Sequence, residues 1–213
     1  MNSIINILFS ICLIIVQVNC DENAIDYGEE ANTDAVKLRV YSLVQPIGQL
    51  MDAAIKRYGN VGLPVPIGLY GDAKVFAIET IPWVFSQVKS IGNSTDRSRV
   101  TAQFLGEVHG FNYMSKRLDK IRKSADVVVK GSADELLNRL KGTEQFMLDS
   151  LDTEMSIASH PLWVAFHQRI KNFLTAEFPK LYSAIARLPT EDSKQKNIAV
   201  LLADLSHVTI PPL

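Results

Sequence analysis

Apolar residues recur at steps of three and four along nearly all of the chain beyond residue 34, and this period constrains the fold more than any other feature. Side chains three and four apart share one face of an α-helix, whereas a half-buried strand would alternate in twos. Val36, Val40, Leu43, Val44, Ile47, Leu50, Met51, Ala54, Ile55 and Tyr58 mark a first helix over roughly Asp34 to Tyr58. Pro46 should kink it and Gly59-Asn60 should stop it. A second helix is expected from Asp72 to about Ile91, with Val75, Phe76, Ile78, Ile81, Phe85, Val88 and Ile91 inward and Pro82 breaking or kinking it. A third runs from Asp96 to Val129 on the stripe Val100, Phe104, Val108, Phe111, Leu118, Ile121, Ala125 and Val128.

Ser132-Ala133-Asp134-Glu135 has the spacing of a capping box, in which the Ser hydroxyl and the Glu carboxylate each satisfy a backbone N–H at a helix start. It opens a fourth helix bearing Leu137, Leu140, Glu144, Met147, Leu151, Met155 and Ala158. A fifth starts at Ser159-His160-Pro161 and turns Trp163, Phe166, Ile170, Phe173, Leu174 and Phe178 inward. Pro179 separates it from a short sixth with Leu181, Tyr182, Ile185 and Leu188. Pro189-Thr190 caps a seventh with Ile198, Leu201, Leu202 and Leu205. Between helices one and two, residues 59–71 hold four Gly and two Pro, which argues for an extended segment packed on the helices. The expectation is an all-α single domain of about six or seven antiparallel helices, several kinked by proline.

The only two cysteines, Cys12 and Cys20, lie in the first 20 residues. That stretch carries no charged side chain, has the apolar run Ile4 to Val16, and is followed at once by Asp21-Glu22. It is too short to span a bilayer and has the order of a secretory signal peptide, residues 1–20. Removing 20 of 213 residues leaves 193, one domain by size and free of thiols. Such a chain forms no disulfide, so packing alone must hold it. Residues 21–33 form an acidic segment of low apolar content, expected to be mobile, and 34–213 form the helical domain. The expected destination is the extracellular space.

Charge excludes one partner class. With 22 basic and 23 acidic side chains there is no electrostatic case for nucleic acid. The cluster Lys116, Arg117, Lys120, Arg122 and Lys123 reads as the wet face of helix three, with an anionic surface or the acidic segment as its possible partner. No second stretch of membrane-spanning length follows the leader.

Chemistry is harder to find. Asn93-Ser94-Thr95 is an N-glycosylation acceptor in an expected helix–helix loop, and the same residues suit a helix cap. His160 and His167 lie seven apart, two turns of helix and too far to share an ion unaided. No nucleophile elbow, phosphate loop, dinucleotide fingerprint or His-Glu-x-x-His motif is present, so no metal, cofactor or catalytic set is assigned. Phe76, Trp83, Phe85, Phe104, Phe111, Trp163, Phe166 and Phe173 are candidates to line an apolar pocket, or else to interlock in a filled core. The leading expectation is a secreted non-enzymatic protein acting by surface contact with an extracellular macromolecule, or a structural component of an extracellular fluid. The alternatives are a carrier of a lipid-like apolar molecule in a helical cavity, and an enzyme whose residues, His109, His160 or His167 among them, converge only in the fold.

Overall fold

A computed structural model describes residues 49, 51–101, 130–158 and 160–206, and these are all-α, with no strand among them. The elements are α1 (51–60), α2 (Pro64–Ser90), α3 (94–101), α4 (Ala133–Ile157), α5 (Pro161–Ala186) and α6 (Glu191–Ser206). The leader with both cysteines, the acidic segment, most of the expected helices one and three, and residues 207–213 lie outside the described residues.

The Gly- and Pro-rich stretch differs from expectation: α2 begins eight residues early, at Pro64. Helix α1 runs through Asn60 and closes on Gly62, whose φ of 68° is the left-handed conformation that glycine adopts freely. Gly62 N–H donates to Gly59 O at 3.2 Å and Leu63 N–H to Tyr58 O at 3.0 Å, the double bond of a Schellman ending. That ending also prepares the next helix. A helix start has four N–H groups without an intrahelical acceptor. In α2 the Leu63 amide is already used, Pro64 and Pro66 have none, and Val65 N–H donates to Asn197 Oδ1 on α6 at 3.2 Å. Prolines that look like helix breakers therefore sit where their missing hydrogen costs nothing.

Two further prolines lie inside helices without ending them. Pro82 stands within α2, and Pro179 stands within α5, which continues to Ala186 and absorbs the expected sixth helix. Both are exposed, so the carbonyl each leaves unpaired lies on the solvent side. Beyond Pro179, Leu181 and Ile185 are buried in line with Leu174 and Phe178. Burying Leu181 and Ile185 contributes roughly 1.5–3 kcal/mol each, together at least the roughly 3 kcal/mol an interior proline costs.

Paired contacts set the directions. Asp72 meets Lys180, Phe76 meets Phe173 and Thr80 meets Arg169, so α2 and α5 are antiparallel. Glu144 meets Tyr182 and Asp152 meets Lys171, so α4 and α5 are antiparallel too. Val65 meets Asn197 and Tyr70 meets Asp204, so α2 and α6 run parallel. The main core gathers Val84, Phe85, Leu140, Met147, Leu151, Trp163, Phe166, Ile170, Leu174, Phe178, Ile198 and Leu201. A second cluster holds Met51, Ala54, Tyr58, Tyr70 and Ala73.

The faces of α4 to α6 match the sequence pattern closely, whereas α2 does not. Its buried side is Val65, Leu69, Ala73, Thr80, Val84, Phe85 and Val88. Val75 and Ile78, expected inward, point to solvent. This helix is apolar nearly all round, so its period does not single out one face.

Ser132 forms both halves of the expected box: Glu135 N–H donates to Ser132 Oγ at 3.3 Å, and Ser132 N–H donates to Glu135 Oε2 at 2.8 Å. Replacing Ser132 by Ala should lower unfolding free energy by about 1 kcal/mol, and Ser132→Thr should restore most of it, as read from urea midpoints. Equal midpoints for Ser132→Ala and the native chain would contradict a working cap.

Candidate interaction surface

On the outward side of α2, Val75 is 55% exposed, Ile78 is 61% exposed, and Pro82 is also exposed. Steps of three and four put them on one stripe, about 10 Å long at 1.5 Å per residue. Isolated apolar side chains at a surface are ordinary, but a contiguous stripe is less so.

Beside this stripe stands a cationic clamp. Arg169 reaches from α5 toward α2, its guanidinium carbon 5.8 Å from the Phe76 ring centre and 5.4 Å from that of Trp83. Its Nε donates to Thr80 Oγ1 at 3.0 Å, and its terminal nitrogen lies 3.9 Å from Glu79 Oε2. The long Glu79 contact is a loose ion pair at an exposed site and adds little attraction. Thr80 is buried and Phe76 packs on Phe173 at 4.5 Å, so the clamp has a rigid base. Arginine held close to aromatic rings keeps its charge while losing little freedom on contact.

The eight aromatics singled out from the sequence fall into groups. Phe76, Trp83 and Phe173 are half-buried around the clamp. Phe85, Trp163 and Phe166 are buried in the main core, with Trp163 edge-on to Phe166 at 5.9 Å. Phe104 and Phe111 lie outside the described residues. An open hollow of about 460 Å³ lies elsewhere, at the α4–α5 corner, against Ala158, His160, Pro161, Val164, Ala165 and Gln168. Arg169 and the outward Val75 and Ile78 carry no sequence signal as site residues: an Arg on a helix and two apolar residues in an apolar helix look like scaffold.

The histidines divide. His160 is a cap, its Nδ1 accepting from Leu162 N–H at 3.1 Å, while His109 lies outside the described residues. His167, two turns further along α5, is 0% exposed. Neither ring nitrogen has a hydrogen-bond partner, and the same holds for Oε2 of Glu154, which is 1% exposed. Among the described residues no three His, Cys, Asp or Glu side chains are grouped as a metal site. No described helix is long and apolar enough to cross a membrane.

Burial penalises charge on both groups. It pulls His167 from 6.5 down to about 4 and pushes Glu154 above the usual carboxylate value. As pH falls below 6.5, the unfolded chain takes a proton that folded His167 refuses until about pH 4, so stability drops across that window. Glu154 acts the other way: its contribution is complete below its unfolded value and disappears as pH rises through its raised folded value. Between about pH 6.5 and 4, His167→Leu should gain on the native chain by up to about 3 kcal/mol in urea unfolding, and a constant offset would contradict the assignment. Glu154→Gln should instead gain toward alkaline pH.

The chain matches no protein-family model, and no curated protein or solved structure matches it.

Proposed function

We propose that this chain is an exported, non-enzymatic helical protein that acts by surface contact with another macromolecule, through the outward stripe of α2 and the Arg169 clamp. The observation that carries the reading is the exposure of Val75, Ile78 and Pro82 together, next to Phe76, Trp83 and Arg169. Energetic centres of protein interfaces are rich in Trp, Tyr and Arg, and need apolar area around them that excludes water. The stripe supplies that area, and the clamp supplies an ordered cation and two half-buried rings. Export rests on the apolar, uncharged leader at residues 1–20, and passage through the secretory pathway would expose Asn93-Ser94-Thr95 to glycosylation. An abundant structural role in an extracellular fluid uses the same surface with a less selective partner.

One observation favours a carrier as the second reading. The open hollow of about 460 Å³ is walled largely by Ala158, Pro161, Val164 and Ala165. Its volume is that of a small-molecule pocket, but it is open to solvent and would cover only one side of an apolar molecule. Its described walls include none of the eight candidate aromatics.

A photo-crosslinking residue at position 78 should yield a discrete macromolecular adduct in the native fluid or medium, and one at exposed position 196 should not. Ile78→Glu should abolish partner capture while changing unfolding free energy by no more than about 0.5 kcal/mol, as surface substitutions usually do. Equal labelling from both positions, with native mass spectrometry finding near one apolar molecule per chain, would move the function to the hollow.

A further inference from the structure

The geometry points to Asn93 as an N-glycosylated helix cap, in which one amide does two jobs: Oδ1 closes the helix start and Nδ2 carries the sugar. The inference rests on the export reading above. Asn93 accepts from Asp96 N–H through Oδ1 at 3.1 Å, and its backbone carbonyl accepts from Arg97 N–H at 3.0 Å. These two bonds define the first turn of α3. Asn93 and Thr95 are both exposed, and Nδ2 makes no hydrogen bond among the described residues. A Cβ placed on neighbouring Gly92 would meet nothing within 4 Å, so among the described residues nothing crowds the position before the acceptor.

The chemistry divides the amide cleanly. The donor is a lipid diphosphate-linked oligosaccharide, met by the chain before it folds. Nδ2 attacks C1 of the first sugar, the bond from C1 to the diphosphate oxygen breaks, and the lipid diphosphate leaves with the electron pair. Nδ2 gives up one proton, which the departing lipid diphosphate takes up, and keeps the other, so a C1–Nδ2 bond replaces an N–H. Oδ1 is untouched and retains the lone pairs it needs to accept from Asp96. A helix start presents N–H donors, so Asn caps it through its acceptor Oδ1 and leaves Nδ2 free to be modified. Arg97 braces the same corner from the protein side, its Nε donating to Ile91 O at 3.1 Å, so the sugar would leave from an ordered turn.

The test uses the full chain expressed in a eukaryotic secretory cell. The medium is treated with an amidase that removes N-glycans in heavy-oxygen water, which tags each formerly glycosylated Asn by mass. The expected result is a tag on Asn93, and a faster-migrating band after treatment. Thr95→Ala should lose the tag and keep the protection of the Asp96 amide against hydrogen exchange. Asn93→Asp should also lose the tag and keep that protection, because Asp caps equally well. Asn93→Ala should lose both, with Asp96 exchange rising severalfold. Protein in the medium with bare Asn93 overturns the glycan and leaves export standing. Protein kept in the cytosol with its leader intact overturns both. A glycosylated chain whose Asp96 amide exchanges as fast as in Asn93→Ala overturns the shared role of the amide.

Discussion

Two buried polar side chains on the last helix hold the amino-terminal described elements to the rest of the fold. Asn197 and Asp204 sit on the inner side of α6 and are almost wholly out of water. A polar group in that position costs a few kcal/mol unless it is paired. Asn197 accepts from Val65 N–H and donates from Nδ2 to Ser193 O at 2.8 Å. Asp204 accepts from both Tyr58 and Tyr70 hydroxyls at 2.6 Å, and the two rings stack 5.6 Å apart. Apolar packing tolerates sliding by a turn, but these bonds do not. Among the described residues, where no cysteine lies, they take the part of a specific staple.

The prolines follow one rule. Wherever a described helix contains one, it stands either in the first turn, at Pro64, Pro66 and Pro161, or on the solvent side, at Pro82 and Pro179. In the first place no hydrogen bond is lost, and in the second water can accept the freed carbonyl. This is why a chain with proline at such frequent intervals still makes long helices. Helix α2 also owes its length to its neighbours, since its first turn is completed by α1 and α6.

Interior and surface contrast in the opposite sense to what composition suggests. The α4–α5 hairpin buries two titratable groups, Glu154 and His167, with atoms that lack partners, while α2 leaves Val75 and Ile78 in water. Each choice costs stability relative to the reverse. A buried imidazole held neutral packs as a flat apolar ring, here 5.8 Å from Phe166. An exposed apolar stripe has no such compensation among the described residues, and it therefore calls for a functional explanation.

Much of the fold was legible in the residues themselves. The capping box at Ser132, the Thr190 and His160 caps and the stripes of α4 and α6 depend on neighbours within a few positions, and local sequence carries that information. The candidate site was only half legible: Phe76, Trp83 and Phe173 stood out as aromatics, while Arg169, Val75 and Ile78 did not. What escaped was decided across the chain. Whether residues 64–71 form a helix depends on Asn197, 132 residues away, and whether α5 crosses Pro179 depends on the core beneath it. Which face of α2 meets water depends on where α5 and α6 lie. A periodic sequence determines that a helix forms and roughly where it starts; only its packed partners decide how far it runs and which side it turns outward, because those choices are settled by hydrogen bonds and buried area that the segment does not itself contain.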